Sequence, residues 1–129
     1  MPERGKDIMK KILIVDDSII NLKLAEKALK EDYQTIMVSS GQAAIEYLEA
    51  NTVDLILLDI MMPDMDGFET LTAIRKNADI KQDIPVVFLT ADNEQSSIMK
   101  AASFGIHDFI VKPFIPKDLL ARINKYFNL

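Results

Sequence analysis

The 129-residue chain has no cysteine, so a disulfide framework and thiolate metal sites are excluded. Histidine occurs once, at His107, which leaves no imidazole cluster from which to build a zinc centre. No segment approaches the roughly 20 consecutive apolar residues of a membrane span. Residues 1–11 are polar and charged, without an apolar stretch of signal-peptide length. A cytoplasmic protein is therefore expected. There is little excess of either charge: 15 Lys and Arg stand against 20 Asp and Glu, for a net charge of -5. Such an intermixed balance argues against general attraction to nucleic acid or to an anionic membrane. Internal repeats and low-complexity stretches are also lacking.

What is present is a hydrophobic pattern. Residues of hydrophobic type make up 49% of the chain and charged residues 27%, the balance of one domain with a real core. Five short apolar runs occur: Ile12-Leu13-Ile14-Val15, Thr35-Ile36-Met37-Val38, Leu55-Ile56-Leu57-Leu58, Val86-Val87-Phe88-Leu89 and Phe109-Ile110-Val111. Consecutive apolar positions suit strands buried on both faces, as in a parallel sheet. Helical spacing fills the intervals. Leu24, Ala25, Ala28 and Leu29 share a face of a helix predicted over residues 18–30, and Ala44, Ile45 and Leu48 mark a second. Ser39 followed by Gln42 reads as its capping box, and Asn51 as its end. A third helix should follow Gly67, using Phe68, Leu71 and Ile74. The fourth is expected over residues 94–104, stopping at Gly105, and Pro116 suits the first turn of a fifth. The pattern is (βα)₅, an α/β sandwich of three layers with a parallel sheet between helices.

The informative residues follow the runs. Asp16-Asp17 come after the first, Asp59 after the third, Thr90 after the fourth and Lys112-Pro113 after the fifth. Ligand sites of open α/β sheets lie beyond the carboxyl ends of the strands, so these side chains should converge. Three carboxylates together repel: a pair about 4 Å apart costs on the order of 4 kcal/mol at an effective dielectric near 20. Lys112 offsets one charge, and a hard divalent cation is the obvious remainder. All-oxygen ligation with few protein ligands suits Mg²⁺ better than zinc. A carboxylate beside a metal and a lysine is placed to attack phosphorus and form an aspartyl phosphate. The equatorial oxygens of the transferred group need positive or hydrogen-bond-donating partners, and Mg²⁺, Lys112 and the Thr90 hydroxyl each supply one.

Four stretches now carry a resemblance: Ile14-Val15-Asp16-Asp17-Ser18, the run from Asp54 through Asp59 to Pro63-Asp64-Met65-Asp66-Gly67, Leu89-Thr90-Ala91, and Val111-Lys112-Pro113-Phe114. In order and on successive strand ends, they look like the signature blocks of bacterial two-component response-regulator receivers. The resemblance implies a flavodoxin-like sheet of order 2-1-3-4-5 and a receiver over residues 11–129; residues 1–10 read as a flexible leader, with Met9 as an alternative start. The resemblance implies Asp59 as phosphoacceptor, with Asp17, Asp59 and the Met61 backbone carbonyl on Mg²⁺ and Asp16 acting directly or through water. Mn²⁺ or Ca²⁺ are the substitutes it allows. Lys112 would contact the phosphoryl oxygens, Thr90 and Phe109 would be the switch pair, and Lys112–Pro113 would be cis. The implied donor is a sensor histidine kinase or phosphotransfer protein. The implied output is a partner or a second copy on the face made by the fourth helix, fifth strand and fifth helix, with no direct nucleic-acid or membrane contact.

Other readings stand beside these. Asp16-Asp17 alone would serve as helix-start residues, and Phe109 alone as core. Met61, Met62 and Met65 read as a soft partner surface or as loop packing, and Asp64 and Asp66 as turn and helix-start residues. His107 reads as a surface or loop residue. The resemblance also implies that Met61 and Asp92 flank the route of water to the phosphoryl group; Met61 cannot hold a water by hydrogen bonding, whereas Asp92 can, so Met61 should slow hydrolysis. A haloacid-dehalogenase-like phosphatase would need a second Asp at position 61, which is Met. An FMN carrier would need a hydroxyl- and glycine-rich loop where Asp16-Asp17 stand. As to context, a stand-alone receiver and a receiver cut from a hybrid kinase or a cyclic-dinucleotide-output regulator both remain open, with Asn21 leaning to the latter.

Overall fold

The computed structural model describes residues 9–91, 95–106 and 108–127. Five strands alternate with five helices: β1 (Lys11–Val15), α1 (Ile19–Leu29), β2 (Gln34–Val38), α2 (Gly41–Ala50), β3 (Leu55–Asp59), α3 (Gly67–Lys76), β4 (Val86–Thr90), α4 (Gln95–Ser103), β5 (Phe109–Val111) and α5 (Pro116–Tyr126). The strands form one parallel sheet in the order β2-β1-β3-β4-β5. This is the flavodoxin-like arrangement expected.

Strand alternation divides the core into two layers. Ile12, Ile14, Leu55, Leu57, Val87 and Leu89 face α1 and α5, where they meet Leu22, Ala25, Leu29, Leu119 and Ile123. Leu13, Val15, Ile56, Leu58, Val86 and Phe88 face the other way, onto Ala44, Leu48, Phe68, Leu71, Ile74 and Ala101 of α2, α3 and α4. The central strands β3 and β4 are buried at every position, which is why they read as unbroken apolar runs.

Two helix details differ from the sequence reading. Leu24 is 38% exposed, and Leu22 takes its place beside Ala25 and Leu29. Leu22 lies three residues before Ala25 and seven before Leu29, the spacing of one helical face, whereas Leu24 turns away from it. At the start of α2 the cap is Ser40, whose Oγ accepts from the Ala43 N–H at 3.0 Å. That one-residue shift puts Ala43 where a capping box needs Glu or Gln, so no reciprocal bond forms, and Gln42 bonds Glu46 instead. Asn51 does end the helix, its N–H and its side-chain amide both donating to the Tyr47 carbonyl. The full capping box is at α3, between Asp66 and Glu69. Phe68, Leu71 and Ile74 are buried as expected, and Pro116 opens α5. Gly105, at φ +78°, follows the end of α4. Glu94 and His107 lie outside the described residues, as do residues 1–8 of the expected 1–10 leader. Among the described residues no helix is long and apolar enough to cross a membrane.

Candidate functional site

Each functional side chain is delivered by the end of a strand. β1 stops at Val15, where Asp16 N–H still bonds the Val38 carbonyl at 3.2 Å, and the chain then turns into α1 through Ser18. Asp16 is fully buried and its Oδ1 accepts the Ser18 N–H at 2.9 Å, while Asp17 is exposed. Asp59, the last residue of β3, sits beside Leu89 of β4 in register. Lys112 follows β5, where its N–H donates to the Thr90 carbonyl at 2.7 Å. The Lys112–Pro113 peptide is cis.

Carboxylate oxygens of Asp16, Asp17 and Asp59 all lie within 4.8 Å of one another. The Lys112 ammonium reaches between two of them, 3.2 Å from Asp16 Oδ2 and 3.1 Å from Asp59 Oδ1. Asp59 Oδ1 also accepts the Met61 N–H at 3.3 Å. Asp59 Oδ2 is buried with no hydrogen-bond partner among the described residues.

The electrostatics follow from this crowding. Burial of Asp59, and next the Asp16 carboxylate, push the Asp59 pKa up to about 6, although Lys112 and the Met61 N–H pull the other way. For Lys112, burial pulls the pKa down, but the Asp59 and Asp16 carboxylates outweigh it and hold the value above normal. The ammonium thus stays charged near neutrality. One cation against three carboxylates leaves the cluster short of positive charge. A buried carboxylate oxygen without a partner, in a set of hard oxygen donors free of sulfur and imidazole, fits a hard divalent cation.

The structure thus brings Asp16, Asp17, Asp59 and Lys112 together. Thr90 ends β4 beside them, buried. Phe109 is half-buried and packs against the core layer of α2, α3 and α4. The Met61 side chain is 69% exposed, whereas Met62 is buried and Met65 packs on the core, so packing describes two of the three methionines. Asp64 adopts φ +67° in the turn and Asp66 caps α3. Asp92 lies outside the described residues.

Gly67 is a residue whose importance the sequence reading missed. It opens α3, and its N–H donates to the Ile60 carbonyl at 2.8 Å, closing the loop after Asp59. A Cβ there would lie 2.5 Å from the Asp59 carbonyl oxygen and 2.9 Å from Ile60 Cα, both backbone atoms. Only glycine lets α3 start directly against the strand end that carries Asp59. The signal available in the sequence is the Asp66-Gly67 pair a short loop after Asp59.

A family model described as the response regulator receiver domain matches residues 12–124. The chain is 41% identical over 119 residues to the transcriptional regulatory protein YvrH of Bacillus subtilis, covering 91% of this chain and 48% of that protein. It is 36% identical over 132 residues to hybrid signal transduction histidine kinase B of Dictyostelium discoideum, covering 93% of this chain and 7% of the kinase. Among solved structures it resembles the chemotaxis response regulator CheY4 of Vibrio cholerae, with a TM-score of 0.82, 29% identity, and coverage of 91% of this chain and 98% of that one. The chain spans about half the length of the curated transcriptional regulators it matches.

Proposed function

Because this chain belongs to the response-regulator receiver family, we propose that Asp59 is the residue on which it receives its phosphoryl group. As a receiver domain of the two-component type, it is a signalling phosphoacceptor. The observation that carries the assignment is the Asp59 carboxylate itself, 1% exposed, held by Lys112 and crowded by Asp16 and Asp17 at the carboxyl end of the sheet.

In the transfer, an Asp59 oxygen attacks phosphorus in line as the bond to the donor breaks. With a phosphohistidine donor a P–N bond is exchanged for a P–O bond, and the departing imidazole takes up a proton. Lys112, already 3.1 Å from Asp59 Oδ1, is placed to follow the phosphoryl oxygens. Thr90 provides a hydroxyl from the neighbouring strand. Asp17, Asp59 and the Met61 carbonyl would hold Mg²⁺, with Asp16 acting directly or through water; Mn²⁺ and Ca²⁺ are alternatives. The ion supplies positive charge for the phosphoryl oxygens. The chemistry is confined to Asp59's own phosphorylation and dephosphorylation, in the cytoplasm.

Phosphorylation replaces a carboxylate with a group of about -1.5 to -2 charge and three acceptor oxygens. Drawing Thr90 toward them moves the start of the segment leading to α4, and Phe109 follows by packing. The face formed by α4, β5 and α5 then differs between the two states, and an output partner or second copy binds one of them better. On the donor side, the exposed apolar side chains Ile19, Ile20, Met61 and Ile115 follow the residues of the site in sequence. They support docking of a sensor histidine kinase or phosphotransfer protein. The likeness to a segment of a hybrid kinase favours a second context, a receiver within a larger protein.

The test uses Mg²⁺ and acetyl phosphate, with intact mass compared between wild type and Asp59→Asn. The wild type should gain one phosphoryl group only with Mg²⁺, and the variant none. Equal uptake by both would rule out Asp59.

A further inference from the structure

The loop that follows Asp59 carries the Met61 carbonyl and is closed at its base by Gly67. Its outer side bears on α2. Gly41, the first residue of α2, is buried against Thr70 of α3 and Met65 of the loop. A Cβ on Gly41 would fall on Thr70 Oγ1 and stand 3.0 Å from Met65 Sδ. The thioether can move aside. Thr70 cannot do so freely: it is fully buried, its β-branched χ1 is restricted in a helix, and Oγ1 donates to the Asp66 carbonyl at 2.8 Å. Asp66 in turn caps α3 and ends the loop. Alanine is a better helix former than glycine, so glycine at this helix start serves the contact and not the helix.

We infer that Gly41 is a positioning residue for the metal-ligand loop, its missing side chain letting α2 bear on Thr70 and Met65 and so set where the loop holds the Met61 carbonyl. The contact chain runs from Gly41 to Thr70, from Thr70 to Asp66, and along the backbone from Asp66 to Met61. This inference rests on the metal reading proposed above. Residues that orient metal ligands from behind are worth on the order of tenfold in affinity.

The test is a Mg²⁺ titration of the protein followed by amide chemical shifts in NMR, which report folding and affinity together. Gly41→Ala should stay dispersed but bind Mg²⁺ on the order of tenfold more weakly. In the Thr70→Ala background, where the clash is gone, the same substitution should change affinity less than about twofold, the coupling a double-mutant cycle detects. If Gly41→Ala does not fold, Thr70→Val carries the test. It keeps the volume facing Gly41 and gives up the bond to Asp66, so weaker Mg²⁺ binding is again expected. Unchanged affinity in the folded variant overturns the inference alone. No Mg²⁺ binding by the wild type overturns the metal reading and this inference with it.

Discussion

Asp59 is held in a state its surroundings disfavour. Its pKa, raised to about 6 first by burial and then by Asp16, exceeds the value of an unfolded chain. A raised folded pKa means that the contribution to stability is complete below the unfolded pKa, near 4, and is lost as pH rises through about 6. Metal-free wild type should therefore lose about 2–3 kcal/mol between pH 4 and pH 8 that Asp59→Asn retains. Urea unfolding in EDTA across that range checks this, and parallel curves for the two proteins would refute it. Saturating Mg²⁺ should stabilise the wild type and not the variant. At the neighbouring loop position, the 69%-exposed Met61 side chain offers water no hydrogen bond. Met61→Asn should speed self-dephosphorylation, read as loss of the phosphoryl mass with time; an unchanged rate would remove Met61 as a tuner. Asp16, Asp59 and Lys112 were legible because each follows an apolar run with a charge. Gly67 and Gly41 were not, because their function lies in atoms they lack, and only the neighbouring backbone and Thr70 reveal it.

At the scale of elements, the buried strands were the easiest to read and the helix starts the hardest. β3 and β4 have no solvent face, so hydrophobicity alone marked them. The start of α2 turns on a choice between adjacent serines, and it is Ser40, in extended backbone, whose Oγ accepts the Ala43 N–H. Ser40→Ala should cost about 1 kcal/mol and Ser39→Ala much less, which chemical denaturation of the two variants distinguishes. Likewise Leu24 was expected inside, because a helix face inferred from three or four apolar residues leaves its angle loose by one position. β5, only three residues long, carries the half-buried Phe109 between core and surface. Phe109→Ala should leave phosphoryl uptake intact and weaken its coupling to the α4–β5–α5 face. Amide shifts of α4 and α5 on adding beryllofluoride with Mg²⁺ would measure this; full-sized shifts in the variant would contradict it.

For the molecule as a whole, topology does the chemical work. A parallel sheet of order β2-β1-β3-β4-β5 brings the carboxyl ends of β1, β3, β4 and β5 to one edge. Residues 16, 59, 90 and 112, far apart in sequence, become neighbours there without any loop having to reach for them. That convergence was foreseeable from the (βα)₅ pattern, since right-handed crossovers leave few alternatives. The distances were not, nor was the orphaned Asp59 Oδ2, because both depend on side-chain placement within an ångström. Function turns on one carboxylate of three neighbours, Asp59, being the acceptor. Protein treated with Mg²⁺ and acetyl phosphate, reduced with borohydride and digested, should show conversion of the acyl phosphate to an alcohol at position 59 alone. Conversion at Asp16 or Asp17, or equal labelling without Mg²⁺, would contradict it.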